Sequence, residues 1–357
     1  MRYVRGAIEA TQFVPALKNF AIDGGMIQGS DGTVVLNAQI DFDVSLRVDA
    51  ARFARAVATC HDEGEVELTL TDTGNLRVKQ GPFRVIVPAL NGNADEYPWS
   101  EASGEAFNVP DNFLDACDAL RPYISTDATK PWSLGIRIHK GALYATNNIL
   151  LASAKLDSDA FDDVEDVIVP TRAIDELIRI RDTLNARVHR ILIADNSVTF
   201  MHARSWWLKS IRMQGQWPDL DALFAKAKGT EMVKVTDEFK QAVQRLTAFT
   251  PDAAPIYIID GVLSTTQTPD DDGAAIEGFE YVNCALVSNT LRIALKDATH
   301  IGFNRYPEPM PFIGTHVRGL MATYRMQASG PEPTQATPPK PKQQQRARSK
   351  RWTKQTS

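Results

Sequence analysis

The chain has 357 residues, 43% hydrophobic and 23% charged, with 39 Lys and Arg against 44 Asp and Glu and a net charge of −5. That composition is ordinary for a soluble globular protein, and the length predicts two or three domains. Three well-separated cysteines, Cys60, Cys117 and Cys284, exclude a CxxC metal or redox motif and a disulfide framework, and point to a reducing cytoplasm.

No apolar run approaches the ~20 residues that a membrane-spanning helix needs. Met1–Ala10 carries Arg2 and Arg5 without an apolar core, so no signal peptide is expected. Charge is unevenly placed. Residues 329–357 hold seven basic residues and one acid, Glu332, which leaves 32 basic and 43 acidic residues over 1–328, a net of −11. An acidic body argues against wrapping by nucleic acid over the whole surface but leaves room for a local basic face.

In chain order, Ala10–Leu17 reads as a helix start: Thr11 precedes Phe13, and Leu17 follows four residues later. Pro15 lies in its first turns, where proline is tolerated. Strand-like sequence follows, from Gly32 to Asn37, behind the turn signal Asp31-Gly32. A second helix is entered from Val48 and carries Phe53 and Val57 on one face. After it, residues 75–79 and 83–87 alternate as strands.

The same order recurs twice. Val109–Cys117 is a helix start with Phe113 and Cys117, then come the strand Gly135–His139, the turn Lys140-Gly141, a helix entered from Val169 and strands at 197–200 and 206–211. Val235–Val243 is a third start with Phe239 and Val243, followed by Ile256–Ile259, the turn Asp260-Gly261, a helix entered from Val287 and strand sequence through Met326. The unit is helix, strands, helix, strands, three times over. It predicts an α+β fold of three domains, 1–104, 105–228 and 229–328, each with two helices packed on antiparallel sheets. Residues 329–357 form a Pro-, Gln- and Lys/Arg-rich tail, predicted to be disordered.

On these residues the chain resembles the bacterial β sliding clamp family, the ring-forming processivity subunit of the replicative DNA polymerase, over residues 1–326. Val167–Leu177 is similar to the family's strand-then-helix entry. Leu143–Ala152 resembles its Ala-Thr-Asp-Gly-His-Arg-Leu-Ala segment, Gln216–Asp219 its Phe-Pro-Asp turn, and Ala322–Met326 its terminal Met-Pro-Met-Arg-Leu. Asn147-Asn148-Ile149-Leu150 departs from Asp-Gly-His-Arg, and the tail is not typical, which points to a divergent, phage-type member. The resemblance implies a head-to-tail homodimer closing as a ring around double-stranded DNA, bound without regard to sequence, with a polymerase and a clamp loader as partners, no membrane, and no cofactor or metal.

Each second helix carries two basic residues away from its apolar stripe: Arg52 and Arg55, Arg172 and Arg179, Arg292 and Lys296. Arg121, Lys240 and Arg245 lie on or at the ends of the first helices. Such faces are ordinarily just solvated; recurring in an acidic body, they make a candidate phosphate-holding surface that reads no base. The resemblance adds Lys130, in a loop where the family touches DNA. It also implies a partner-peptide pocket at Thr146, Leu151, Pro218, Leu223, Leu320, Thr323, Tyr324, Arg325 and Met326, with Trp132 as a looser candidate; Leu151, Leu223 and Leu320 read equally well as plain core. Asn148 and Ile149 change the rim of that pocket.

No Walker A loop, GxSxG, HExxH or CxxC pattern is present, and the six histidines show no ligand spacing. Asp270–Gly273 reads as a solvated turn rather than a calcium loop. The tail's basic run with Trp352 reads equally as a DNA or partner contact and as a solubilising end. The alternative to a clamp is a non-catalytic phage structural or protein-interaction protein built of repeated α+β domains.

Overall fold

The structure, a computed structural model, describes residues 15–61, 64–90, 99–164, 166–203, 205–268 and 273–326. The described residues up to Arg325 belong to one compact unit, and Met326 stands outside it. Most of the first expected helix, the Asp270–Asp272 loop and the tail lie outside the described residues. Pro15–Lys18 forms a single 3-10 turn.

The first segment contains β1 (Asn19–Asp23), β2 (Met26–Ser30), β3 (Val34–Gln39), β4 (Leu46–Asp49), α1 (Ala50–Ala58), β5 (Glu67–Leu70), β6 (Leu76–Gln80), β7 (Phe83–Val87) and β8 (Ala89–Leu90). The second contains β9 (Glu105–Asn108), α2 (Phe113–Leu120), β10 (Gly135–His139), β11 (Ala142–Thr146), β12 (Leu150–Lys155), β13 (Val167–Pro170), α3 (Thr171–Leu184), β14 (Arg190–Ile193), β15 (Ser197–His202), β16 (Trp206–Ile211) and α4 (Leu220–Lys226). The third contains β17 (Met232–Lys234), α5 (Asp237–Thr247), β18 (Pro255–Ile259), β19 (Val262–Ser264), β20 (Ala274–Ala275), β21 (Asn283–Val287), α6 (Ser288–Ala294), β22 (Ala298–Gly302), β23 (Met310–Gly314) and β24 (Arg318–Met321).

Local chemistry sets these elements. Asp49 caps α1, its Oδ1 accepting from the Arg52 amide at 2.7 Å, and Thr236 caps α5 through Phe239 N at 3.1 Å. Asp237 and Glu238 sit in the first turn of α5, where the helix dipole favours acids. Asn185 ends α3 in the left-handed region. The tight hairpins β10–β11 and β18–β19 turn on Lys140-Gly141 and Asp260-Gly261, with positive φ at both residues, as two-residue hairpin loops require. Their counterpart in the first segment is Gly24-Gly25, not the expected Asp31-Gly32, which instead joins β2 to β3.

The repeat extends to strand pairing. Each segment has a four-stranded unit in one order: β4-β1-β2-β3, β13-β10-β11-β12 and β21-β18-β19-β20. Each follows its second helix with a meander: β5-β6-β7, β14-β15-β16 and β22-β23-β24. Two antiparallel junctions splice the segments. β16 pairs with β3, from Trp206↔Ala38 to Ser210↔Val34, and β24 pairs with β12, from Leu150↔Met321 to Ser153↔Arg318. In both, the last meander strand of one segment joins the last strand of the preceding four-stranded unit. Among the described residues, the equivalent edges of β7 and β20 pair with nothing beyond their own sheets.

The helices cover the sheets with their apolar faces. Phe53 packs edge-on to Phe20, Phe113 to Phe161, and Phe239 stacks on Phe279 at 4.8 Å between centroids. All six are at most 2% exposed, and each such ring contributes ~1.5–3 kcal/mol through burial. Tyr123, just past α2, stacks on Phe312 of β23 at 6.0 Å, so an aromatic pair spans the second junction.

Candidate nucleic-acid surface and partner pocket

The basic residues expected on the helices divide into two groups. Arg52 and Arg55 project from α1, opposite the buried Phe53 and Ala56, with no acidic partner within 4 Å among the described residues. Lys130, Arg245 and Lys296 are likewise exposed and unpaired among those residues, and Lys240 is half-buried. Lys296 lies two residues beyond α6. Arg292 is exposed, bonded to Asn289 Oδ1 at 2.6 Å, with Asp252 3.7 Å away.

The α3 pair differs from expectation. Glu176, expected between two outward arginines on a solvated face, is 3% exposed. Arg179 Nε donates to its Oε1 at 2.8 Å, Arg172 Nη1 to its Oε2 at 3.3 Å, and Arg172 Nε to Asp31 Oδ2 at 2.8 Å. A buried carboxylate is tolerated only when paired and hydrogen-bonded, and these arginines do that. Burial opposes the charge on Arg172, but Asp31 and Glu176 outweigh it and raise its pKa. Arg121, in the 3-10 turn after α2, is held by Asp175 at 2.9 Å and Asp118 at 3.3 Å. Arg172, Arg179 and Arg121 thus make ion pairs within the chain while a third or more of each side chain stays exposed.

The pocket forms where β12 meets β24. The β11–β12 turn is closed by Asn147 Oδ1, which accepts from Ile149 N at 3.1 Å and Leu150 N at 2.8 Å. Thr146 Oγ1 donates to the Leu150 carbonyl at 2.8 Å and accepts from Asn148 N at 3.0 Å. Asn148 takes φ 72°, a conformation open to asparagine as to glycine. Leu151 faces Leu320 across the junction, 7% and 5% exposed. Asp219 caps α4 through Ala222 N at 3.0 Å, which brings Pro218 and Leu223 to the same place. Trp132 packs edge-on to Trp217 at 5.5 Å, and the Arg137 guanidinium lies over Trp217.

These elements enclose a cavity of about 280 Å³, lined by Trp132, Thr146, Leu151, Pro218, Leu223 and Leu320 together with Asn148, Ile149, Leu150, Pro309 and Ala322. Six of the ten expected pocket residues thus converge, and the three leucines both pack and line. Thr323, Tyr324 and Arg325 do not line it. The chain turns away after Ala322: Thr323 bridges to Leu286, and Tyr324 N donates to the Ala285 carbonyl at 2.7 Å. Met326 closes the described residues. Pro309, Leu150 and Ala322 were missed, because they reach the cavity only through the β12–β24 and β23–β24 pairings.

No protein-family model matches the chain. The β sliding clamp of Bacillus subtilis (strain 168) is 30% identical over 166 residues, 44% of this chain and 43% of that protein, so the match spans less than half of this curated relative. Among solved structures, the Caulobacter crescentus DNA polymerase sliding clamp superposes with a TM-score of 0.74 at 17% identity, covering 91% of this chain and 96% of that one. The Helicobacter pylori β clamp bound to a DNA ligase peptide gives 0.72 at 15% identity, covering 91% and 96%. The Bartonella birtlesii sliding clamp bound to griselimycin gives 0.73 at 19%, covering 91% and 95%.

The chain has the fold of the bacterial β sliding clamps and shares 30% identity with one of them over 166 residues. Within the clamp fold, the departure at Asn147–Leu150 is conservative in backbone and radical in surface. Asn147 and Asn148 keep the turn, whereas Ile149, 40% exposed, and the buried Leu150 put hydrocarbon where the family has His and Arg.

Proposed function

We propose that the chain is a DNA sliding clamp, a homodimeric ring that encircles duplex DNA and tethers a replicative polymerase and other partners through the Leu151–Leu320 pocket. It acts in the cytoplasm, by topology and with no catalysis of its own. Residues 1–104, 105–228 and 229–328 are read as its three domains.

The observation that carries this reading is the unused third junction. β16·β3 and β24·β12 are two copies of one splice, and β7 and β20 are the same two edges, open among the described residues. A second copy supplies β7 to β20 and receives the reverse, a head-to-tail contact that closes. The aromatic pair supports it. Tyr123 follows Phe113 by ten residues and stacks on Phe312 across a junction; Phe249 follows Phe239 by ten and is 91% exposed. Exposed Phe83 and Ile86 on β7 add apolar surface to the other open edge. Arg245 shares a surface depression with Phe249, which assigns it to the docking edge as readily as to DNA.

Six closed junctions surround a channel whose helices present Arg52, Arg55 and Lys240, with Lys296 just past the end of α6. Phosphate contacts of this kind hold DNA without reading it, as sliding requires. The Helicobacter clamp's DNA ligase peptide supports peptide binding by the family, which we assign here to the apolar cavity. The reading is tested by sedimentation: two chains per particle are expected, and a strict monomer at all concentrations would overturn it.

A further inference from the structure

We infer that the basic segment from Lys340 to Lys354 is a second DNA-contacting element, binding duplex phosphates alongside the cations of the helices. The inference takes from the clamp reading only that duplex DNA is the partner.

Charge points there first. Residues 329–357 hold seven basic residues against one acid, Glu332, and Trp352 is their one large apolar side chain. That composition offers little to an apolar groove and much to a polyanion. The rest of the chain is poorly supplied for the task. Residues 1–328 carry 32 basic and 43 acidic residues. Of the six cations expected on the second helices, Arg172 and Arg179 share Glu176, and Arg292 has Asp252 at 3.7 Å. Arg52, Arg55 and Lys296 remain exposed or half-buried, without an acidic partner within 4 Å among the described residues. Seven further charges on the same chain more than double those three.

The fold delivers the segment to a suitable place. After β24, Thr323 bridges to Leu286, and Tyr324 N donates to the Ala285 carbonyl at 2.7 Å. Leu286 lies two residues before α6 begins at Ser288, and Met326 already stands outside the compact unit. The chain therefore leaves that unit beside the start of the helix that carries Arg292 and leads to Lys296. The stretch of chain from Met326 to Lys340 can span up to ~50 Å. The basic run is thus tethered within reach of a duplex held at α6. Its contacts are with phosphates, which read no base and permit sliding.

The test is anisotropy titration of a short, fluorescein-labelled linear duplex, from low to physiological salt. The full chain is compared with a variant carrying Lys340→Gln, Lys342→Gln, Arg346→Gln, Arg348→Gln, Lys350→Gln, Arg351→Gln and Lys354→Gln together. The wild type should bind at least ~10-fold more tightly at low salt, and its log affinity should fall more steeply with log salt, by up to ~6 in slope. A second variant, Arg346→Lys with Arg348→Lys and Arg351→Lys, keeps the charge and should keep the affinity. All three proteins should sediment and melt alike. Equal affinity and slope for the wild type and the Gln variant would overturn the inference; if both were still retained on circular DNA, the clamp reading would stand. Binding to linear duplex that depends on these charges, in a chain that circles fail to retain, would support the inference and overturn the ring instead. Charge-dependent binding to phosphatidylserine vesicles with none to duplex would overturn it in favour of a lipid surface.

Discussion

Arg172 reaches across 141 residues of sequence to Asp31, its Nε 2.8 Å from Oδ2, and ties α3 to the β2–β3 turn beside the first junction. Asp31 is itself fixed, because its Oδ1 accepts from Thr33 N and Val34 N at 2.9 Å. Arg172 is therefore a structural cation. Arg172→Ala should cost about 1–3 kcal/mol, since it leaves Glu176 with one arginine fewer. Arg52→Ala, on an open helix face, should stay within ~0.5 kcal/mol. Urea denaturation separates the two; equal, negligible losses would return Arg172 to the surface set.

The second junction depends on close backbone approach at Gly319, opposite Ala152. A methyl group there would collide with the Leu151 carbonyl and the Phe312 ring. Gly319→Ala is expected to cost about 1–3 kcal/mol through overpacking. It should also weaken peptide binding, because Leu151 and Leu320 flank the strained pair. Melting temperature and peptide titration on the same sample check both.

Much of this architecture was legible in the sequence. Asp49 and Thr236 announce helix starts by side-chain chemistry, and Lys140-Gly141 and Asp260-Gly261 announce hairpins by backbone chemistry. The expected turn at Asp31-Gly32 is present between β2 and β3, whereas the Asp23-Gly24-Gly25 turn that matches the other two hairpins carried an equally plain Asp-Gly signal and was passed over. The splices β3·β16 and β12·β24 were not legible, since pairing between distant strands leaves no local signature. Helical spacing put Glu176 with the outward arginines; it could not show that they close over it. The exit of Thr323 and Tyr324 toward β21 was hidden for a similar reason: backbone pairing there, not side-chain type, decides the route. Helix α4 was read only as a turn, although Asp219 is an N-cap.

Stability should depend on acid through Asp297. Its carboxylate accepts from His316 N and Val317 N, each at 3.0 Å, and from His316 Nδ1 at 2.9 Å, which pins the β23–β24 turn. Burial raises its pKa, but these donors outweigh it and lower the value below the usual carboxylate range. The folded pKa lies below the unfolded one, about 3.9. The contribution is therefore complete above that pH and lost as pH falls through the depressed value. Asp297→Ala should cost ~1–2 kcal/mol at neutral pH and progressively less in acid. A cost that stays constant from neutral pH into strong acid would contradict the assignment.

Association should depend on the open edges. Phe249→Asp and Ile86→Asp change side chains that are 91% and 56% exposed in the single chain, so the fold should stand, within ~0.5 kcal/mol. Both should shift sedimentation from two chains to one. A variant that stays dimeric would place the interface elsewhere.

The most direct test of the clamp reading is retention on DNA as a function of topology. The chain, loaded on a nicked circular duplex and passed through a sizing column, should co-elute with the circle and be released when the circle is cut once. Arg52→Glu with Arg55→Glu should reduce retention without dissociating the dimer. Equal retention on circular and linear DNA, or none on either with the dimer intact and a loader present, would contradict it.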